Sequence, residues 1–143
     1  MADATHSDYS EPMLACIQNC QDCHRACLQT LVYCMQQGGR HARPDHLRLL
    51  MDCAEICLTS ANFMLRASDL YRHTCAACAE VCRQCAAECA AMGDDPRMKA
   101  LADTCRHCAD SCAAMAGNAM AGHATGGAAA AGGGAVVTRH KTE

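Results

Sequence analysis

Between residues 11 and 117 the apolar positions return every three or four residues, with polar residues filling the gaps. That is the 3.6-residue period of a helix with one face turned inward, and it differs from the strict alternation of a half-buried strand. Four stretches carry the pattern, each bounded by helix punctuation. Ser10, Glu11 and Pro12 open a helix that Gly38 and Gly39 close, predicted over 11–37. Pro44 and Asp45 open a second, predicted over 44–67. Ser68 and Asp69 are capping residues at a tight junction before a third, over 69–91, which Gly93 ends. Asp95 and Pro96 begin a fourth, over 95–117. Long helices joined by short connectors favour antiparallel neighbours, so the predicted fold is all-α, an antiparallel up-down-up-down four-helix bundle. Each rod would be roughly 35 to 40 Å long at a rise of about 1.5 Å per residue.

Residues 1–10 and 118–143 fall outside these helices. The tail is built of Ala, Gly and isolated polar residues, too little apolar surface to hold one conformation, and both end segments are predicted to be disordered. His123 and His140 lie in that tail and are expected to be inert.

The inward face is occupied by sulfur. Cys16, Cys20, Cys23, Cys27 and Cys34 line one side of the first helix, and Cys53 with Cys57 line the second. Cys75, Cys78, Cys82, Cys85 and Cys89 line the third, and Cys105, Cys108 and Cys112 the fourth. Within each helix the steps keep the same face, where Leu and Ile would normally pack, so association of the helices makes a Cys-lined core. The whole chain has 15 Cys and 9 Met but no Trp and a single Phe. Free Cys can serve as a small buried hydrophobe. Fifteen in register argue otherwise, because Ala, Val or Leu would fill the same space without the risk of oxidation. Leu28, Leu31, Leu50, Ile56, Leu65, Leu70 and Val81 are expected to add aliphatic packing beside this seam.

Several function classes are disfavoured. A net charge of -3 offers no basic stripe for nucleic acid. No stretch is long and apolar enough to span a bilayer. Residues Met1 to Pro12 are polar and acidic, without the apolar run of a secretory signal, which predicts a cytoplasmic protein. Thiols stay reduced in that compartment, so dense cysteine there points to metal or redox chemistry and away from disulfides. No Ser-His-Asp set, phosphate loop or paired carboxylates are visible, and binding without catalysis is expected.

Charge bears on the choice of metal. Thiolates buried without Lys or Arg beside them must be neutralised by the ions they hold. Tetrahedral zinc would supply about four divalent ions, roughly eight positive charges against nearly twice as many negative ones. Monovalent copper needs fewer sulfurs per ion and accepts bridging thiolates, so the ion count can approach the sulfur count. The expected cargo is Cu(I), multiple ions per chain, about a dozen or more. Zinc or another soft metal held by the thiolates, or an iron-sulfur or redox protein, are the alternatives. Against the cluster reading, the run from Cys75 to Cys85 lacks the C-x2-C-x2-C-x3-C-P spacing of a ferredoxin.

With its C-x3-C pairs, Cys16 with Cys20, Cys23 with Cys27, Cys53 with Cys57, Cys78 with Cys82, Cys85 with Cys89 and Cys108 with Cys112, the chain resembles the bacterial four-helix copper storage proteins. The likeness runs from about residue 11 to residue 117 and is to the subclass without an export signal. It implies Cu(I) bound by the cysteines inside the bundle and assembly of protomers as a homotetramer. A copper chaperone or small-molecule copper donor would be the supplier.

A few other side chains fall on or near the seam. His46 is in line with Cys53 and Cys57, near the bundle end that also holds Cys34, Cys89, Met92 and Met98, and is the candidate for first contact with incoming copper. Met64 occupies a seam position level with Cys16, Cys75 and Cys112, as an auxiliary thioether ligand or as core filler. Met92 is a second auxiliary candidate, and Met13 and Met115 share the ambiguity of Met64 at the same end. His24 lies on the flank of its seam, and His73 and His107 point away from theirs.

Overall fold

The computed structural model describes residues 9–120, with side chains through residue 117. Its order is α1 (Glu11–Gln37), a single 3-10 turn (Gly39–Ala42), α2 (Pro44–Leu65), α3 (Tyr71–Ala90) and α4 (Pro96–Met120). α1 packs on α2 and α4, and α3 packs on α4 and α2, so the four rods stand at the corners of a square around one axis. Of the predicted end segments 1–10 and 118–143, residues 1–8 and 121–143, with His123 and His140, lie outside the described residues, while residues 118–120 continue α4 past its predicted end at 117.

The helix ends follow from local chemistry. Ser10 accepts the Met13 amide at 3.2 Å, with Pro12 in the first turn, and Gly38 leaves α1 at φ 68°, donating back to the Cys34 carbonyl. Asp95 caps α4, its Oδ1 accepting the amides of Arg97 and Met98 at 2.9 and 3.4 Å. α2 stops at Leu65, two residues short of the predicted end. There the Ser68 amide donates to Phe63 and the Ala67 amide to Met64, the paired bonds of a Schellman end, with Ala67 in the left-handed region at φ 52°. α3 begins at Tyr71, because Ser68 uses its hydroxyl to accept the Leu70 amide within the turn and caps no helix.

All 15 cysteines are buried and none is disulfide-bonded. Small residues on the helix flanks, Ala54, Ala61, Ala79, Ala86, Ala102 and Ala109, are also buried and let the backbones approach. Leu50 is buried as expected, and Leu31, Ile56 and Val81 pack partly against the core. Leu28, Leu65 and Leu70 do not, since they are 41%, 43% and 56% exposed. Leu28 and Leu65 sit about a third of a turn round from the thiol stripe of their helices, too far to reach the axis, and Leu70 belongs to the turn before α3. Leu28 and Leu65 join Leu14, Val32, Met35, Met51 and Leu58 in an exposed apolar stripe along α1 and α2.

Candidate metal centre

Because every cysteine of a helix lies on its inward face, four helices bring sulfur to one axis from four sides. Five overlapping groups result, each with its sulfurs within 4.8 Å of one another. Cys16, Cys75 and Cys112 form the first, and Cys112 is shared with the next, which adds Cys20, Cys78 and Cys108. Cys78 and Cys108 belong also to a group with Cys57 and Cys82, those two to another with Cys23 and Cys53, and those to the last, with Cys27 and Cys105. Sharing at each step makes one continuous column. The closest contacts cross between helices, Cys20 to Cys112 and Cys57 to Cys82 both at 3.4 Å, so each helix contributes only part of any group.

Three cysteines stand outside these groups: Cys34, Cys85 and Cys89. Level with them the neighbouring helices present Leu50 from α2 and Leu101 from α4, both buried, in place of thiols. Sulfur continues toward that end along α3, where Cys85 and Cys89 are one helical turn apart. Beyond them is the site predicted around His46. His46 Nε2 lies 3.4 Å from Cys34 Sγ, and Cys34 Sγ lies 3.7 Å from Met98 Sδ. His46 is buried, at 1% exposure, and so lies under the end of the bundle and not at its surface. Met92 is buried at the turn following α3.

At the opposite end Met64 Sδ is 3.8 Å from Cys75 Sγ, and Met13 and Met115 are buried nearby. Ser60, which the sequence pattern did not single out, places Oγ 3.3 Å from the same Cys75 sulfur. Its signal was the spacing itself, since Cys53, Cys57, Ser60 and Met64 continue one seam. His24 ties α1 to α2, Nδ1 being 2.8 Å from the Ala54 carbonyl, while His73 and His107 are exposed on outer faces.

The thiols share protons unevenly. Hydrogen bonds from Cys108 and Cys112 hold Cys20 down to about 6. Cys57 is pushed well above the ordinary thiol range, chiefly by Cys108 and then Cys23. Cys34, apart from the column, is pushed up to about 11 by burial. A buried thiolate therefore forms most readily where another thiol can donate to it. Since a metal ion takes thiolates, Cys20, which accepts from its neighbours, is readier to bind one than Cys57 or Cys34.

A second cluster joins α1, the 3-10 turn and the start of α4. Tyr33 from α1 donates to Asp95 Oδ2 at 2.7 Å, and His41 from the 3-10 turn reaches the same oxygen at 2.8 Å. The Arg97 guanidinium lies over the Tyr33 ring, 4.9 Å from its centroid. These contacts pin the α1–α2 connection to the start of α4. Local spacing carries no sign of them, because they join residues 54 and 62 positions apart.

A four-helix bundle whose axis is a column of unpaired thiols is a narrow class. Residues 9–117 match the family model described as copper storage protein, and the chain belongs to that family. Solved structures agree. The Nmul_A1745 protein from Nitrosospira multiformis is 43% identical, over 76% of this chain and 97% of that one, with a TM-score of 0.71. The Cu(I)-bound copper storage protein of Bacillus subtilis is 33% identical, over 74% and 99%, with a TM-score of 0.69. The copper storage protein of Streptomyces lividans loaded with 10 copper equivalents is 29% identical, over 75% and 85%, with a TM-score of 0.65.

Proposed function

We propose that this chain stores Cu(I) as multiple ions held by its cysteine thiolates along the bundle axis. The observation that carries the reading is the overlap of the thiol groups. Every neighbouring pair of groups shares sulfur, as bridged monovalent ions require and as separate tetrahedral sites do not. The buried column has no cationic side chain among its members, so the ions themselves must balance the charge that deprotonation leaves. Cys34, His46 and Met98, with Cys89 leading inward, serve as the uptake end, and Met64 and Met92 as auxiliary thioether contacts. The role is storage and not catalysis.

Unpaired thiols in this number suit the reducing cytoplasm. Among the described residues no helix is long and apolar enough to cross a membrane. The apolar stripe on α1 and α2 suits burial against further copies, in a homotetramer. Copper would arrive from a chaperone or a small-molecule complex.

Anaerobic titration of the reduced protein with Cu(I) tests the proposal. Storage gives a colourless product that saturates at about a dozen ions or more per chain. Zinc loaded instead should leave many thiols free to react and should be displaced by copper. A brown protein holding a few irons per chain would overturn the reading in favour of an iron-sulfur cluster.

A further inference from the structure

His46 is buried with one ring nitrogen engaged and the other not. Its Nε2 faces Cys34 Sγ at 3.4 Å, while Nδ1 is buried without a hydrogen-bond partner. Glu88 Oε1 on α3 is 3.5 Å from that Nδ1. That carboxylate is held in place from outside by Arg43, whose guanidinium donates to the same oxygen at 2.7 Å. Glu88 is partly exposed and His46 is not, so the carboxylate stands between the buried ring and the solvent.

We propose that Glu88 is the positioning residue of the uptake end, keeping the proton of His46 on Nδ1 so that the Nε2 lone pair is directed at Cys34 and an arriving Cu(I). The inference rests on the reading of His46 as a copper ligand. An imidazole can offer a lone pair from Nε2 only when its proton is on Nδ1, and a buried N–H without an acceptor is unfavourable. A movement of a few tenths of an ångström brings Glu88 within hydrogen-bonding distance of that N–H. Carboxylates placed behind metal-bound histidines set the tautomer and ring orientation in this way, and their removal typically costs about 10- to 100-fold in affinity. A Glu88 that served only as a surface partner of Arg43 would leave the ring unaffected.

Two readouts on the full chain test this. In the metal-free reduced protein, nitrogen-15 NMR of the histidine rings should show His46 protonated on Nδ1 and unprotonated on Nε2. Glu88→Met, which keeps size and removes the acceptor, should move a substantial share of that proton to Nε2, whereas Glu88→Gln, whose carbonyl still accepts, should retain it. In transfer of the first equivalents from Cu(I) bicinchoninate, Glu88→Met should slow uptake about tenfold with final capacity unchanged, and Glu88→Gln should recover most of the rate. An unchanged tautomer and rate in Glu88→Met, beside a slowed His46→Ala, would overturn the role of Glu88 alone. Wild-type uptake by His46→Ala would overturn both that role and His46 as a ligand.

Discussion

The Sγ atoms of Cys57 and Cys82 stand 3.4 Å apart across the contact of α2 with α3. That is well beyond the S–S bond length of about 2.05 Å, yet near enough for both sulfurs to face one ion. Each belongs to two of the overlapping groups, whereas Cys34 belongs to none. Cys82→Ser should therefore lower the Cu(I) capacity by about two equivalents, and Cys34→Ser by about one at most. Equivalents bound at saturation, counted by elemental analysis after gel filtration, check the difference. Equal losses would contradict the shared column.

Ala67 ends α2 in a left-handed conformation at φ 52° that L-residues adopt at a cost of about 1 kcal/mol. Glycine has no such cost there, although it gains freedom in the unfolded chain. Ala67→Gly is expected to stabilise the metal-free bundle by up to about 1 kcal/mol, read from the midpoint of denaturant unfolding with an unchanged slope.

Asp95 is held down to about 2, first by the Tyr33 hydroxyl and then by His41 and the backbone amides of Arg97 and Met98, against the burial that opposes its charge. A carboxyl whose folded value is depressed adds stability above its unfolded value, and that stability is lost as the pH falls through the folded value. Asp95→Asn keeps the cap oxygen and removes the charge. It should destabilise the bundle by about 1 to 2 kcal/mol near neutral pH, with the difference from wild type shrinking below about pH 4 and gone only below about pH 2. Stability curves of both proteins against pH provide the check.

The bundle and its thiol axis were legible in the sequence because both depend on short-range spacing. Cys16 to Cys34 can be placed on one face by counting residues, and Ser10, Pro12 and Gly38 mark the limits of α1 within a residue. The end of α2 was not, because a non-glycine residue takes the left-handed position at Ala67 and carries no compositional sign of it. Nor was the setting of His46. Its alignment with Cys53 was visible by periodicity, but its burial and its approach to Glu88 depend on how separate helices meet. The aliphatic residues misled for a related reason. Leu28 and Leu65 are hydrophobic and helical, but they fall on a stripe facing away from the axis.

That stripe is open to a direct test. Leu28→Glu combined with Leu58→Glu places charge in the proposed interface of the tetramer while leaving the thiol column untouched. Sedimentation equilibrium is expected to show the wild type as a tetramer and the double variant shifted to smaller species, with helix content by circular dichroism unchanged.

Anomalous diffraction at the copper edge, from crystals of the fully loaded protein, addresses the storage of copper inside the bundle most directly. About a dozen or more peaks should lie along the axis, each between sulfurs of the groups running from Cys16 to Cys27 and onward through Cys85 and Cys89. Peaks confined to the outer surface, or an axis closed by disulfides and free of copper, would contradict it.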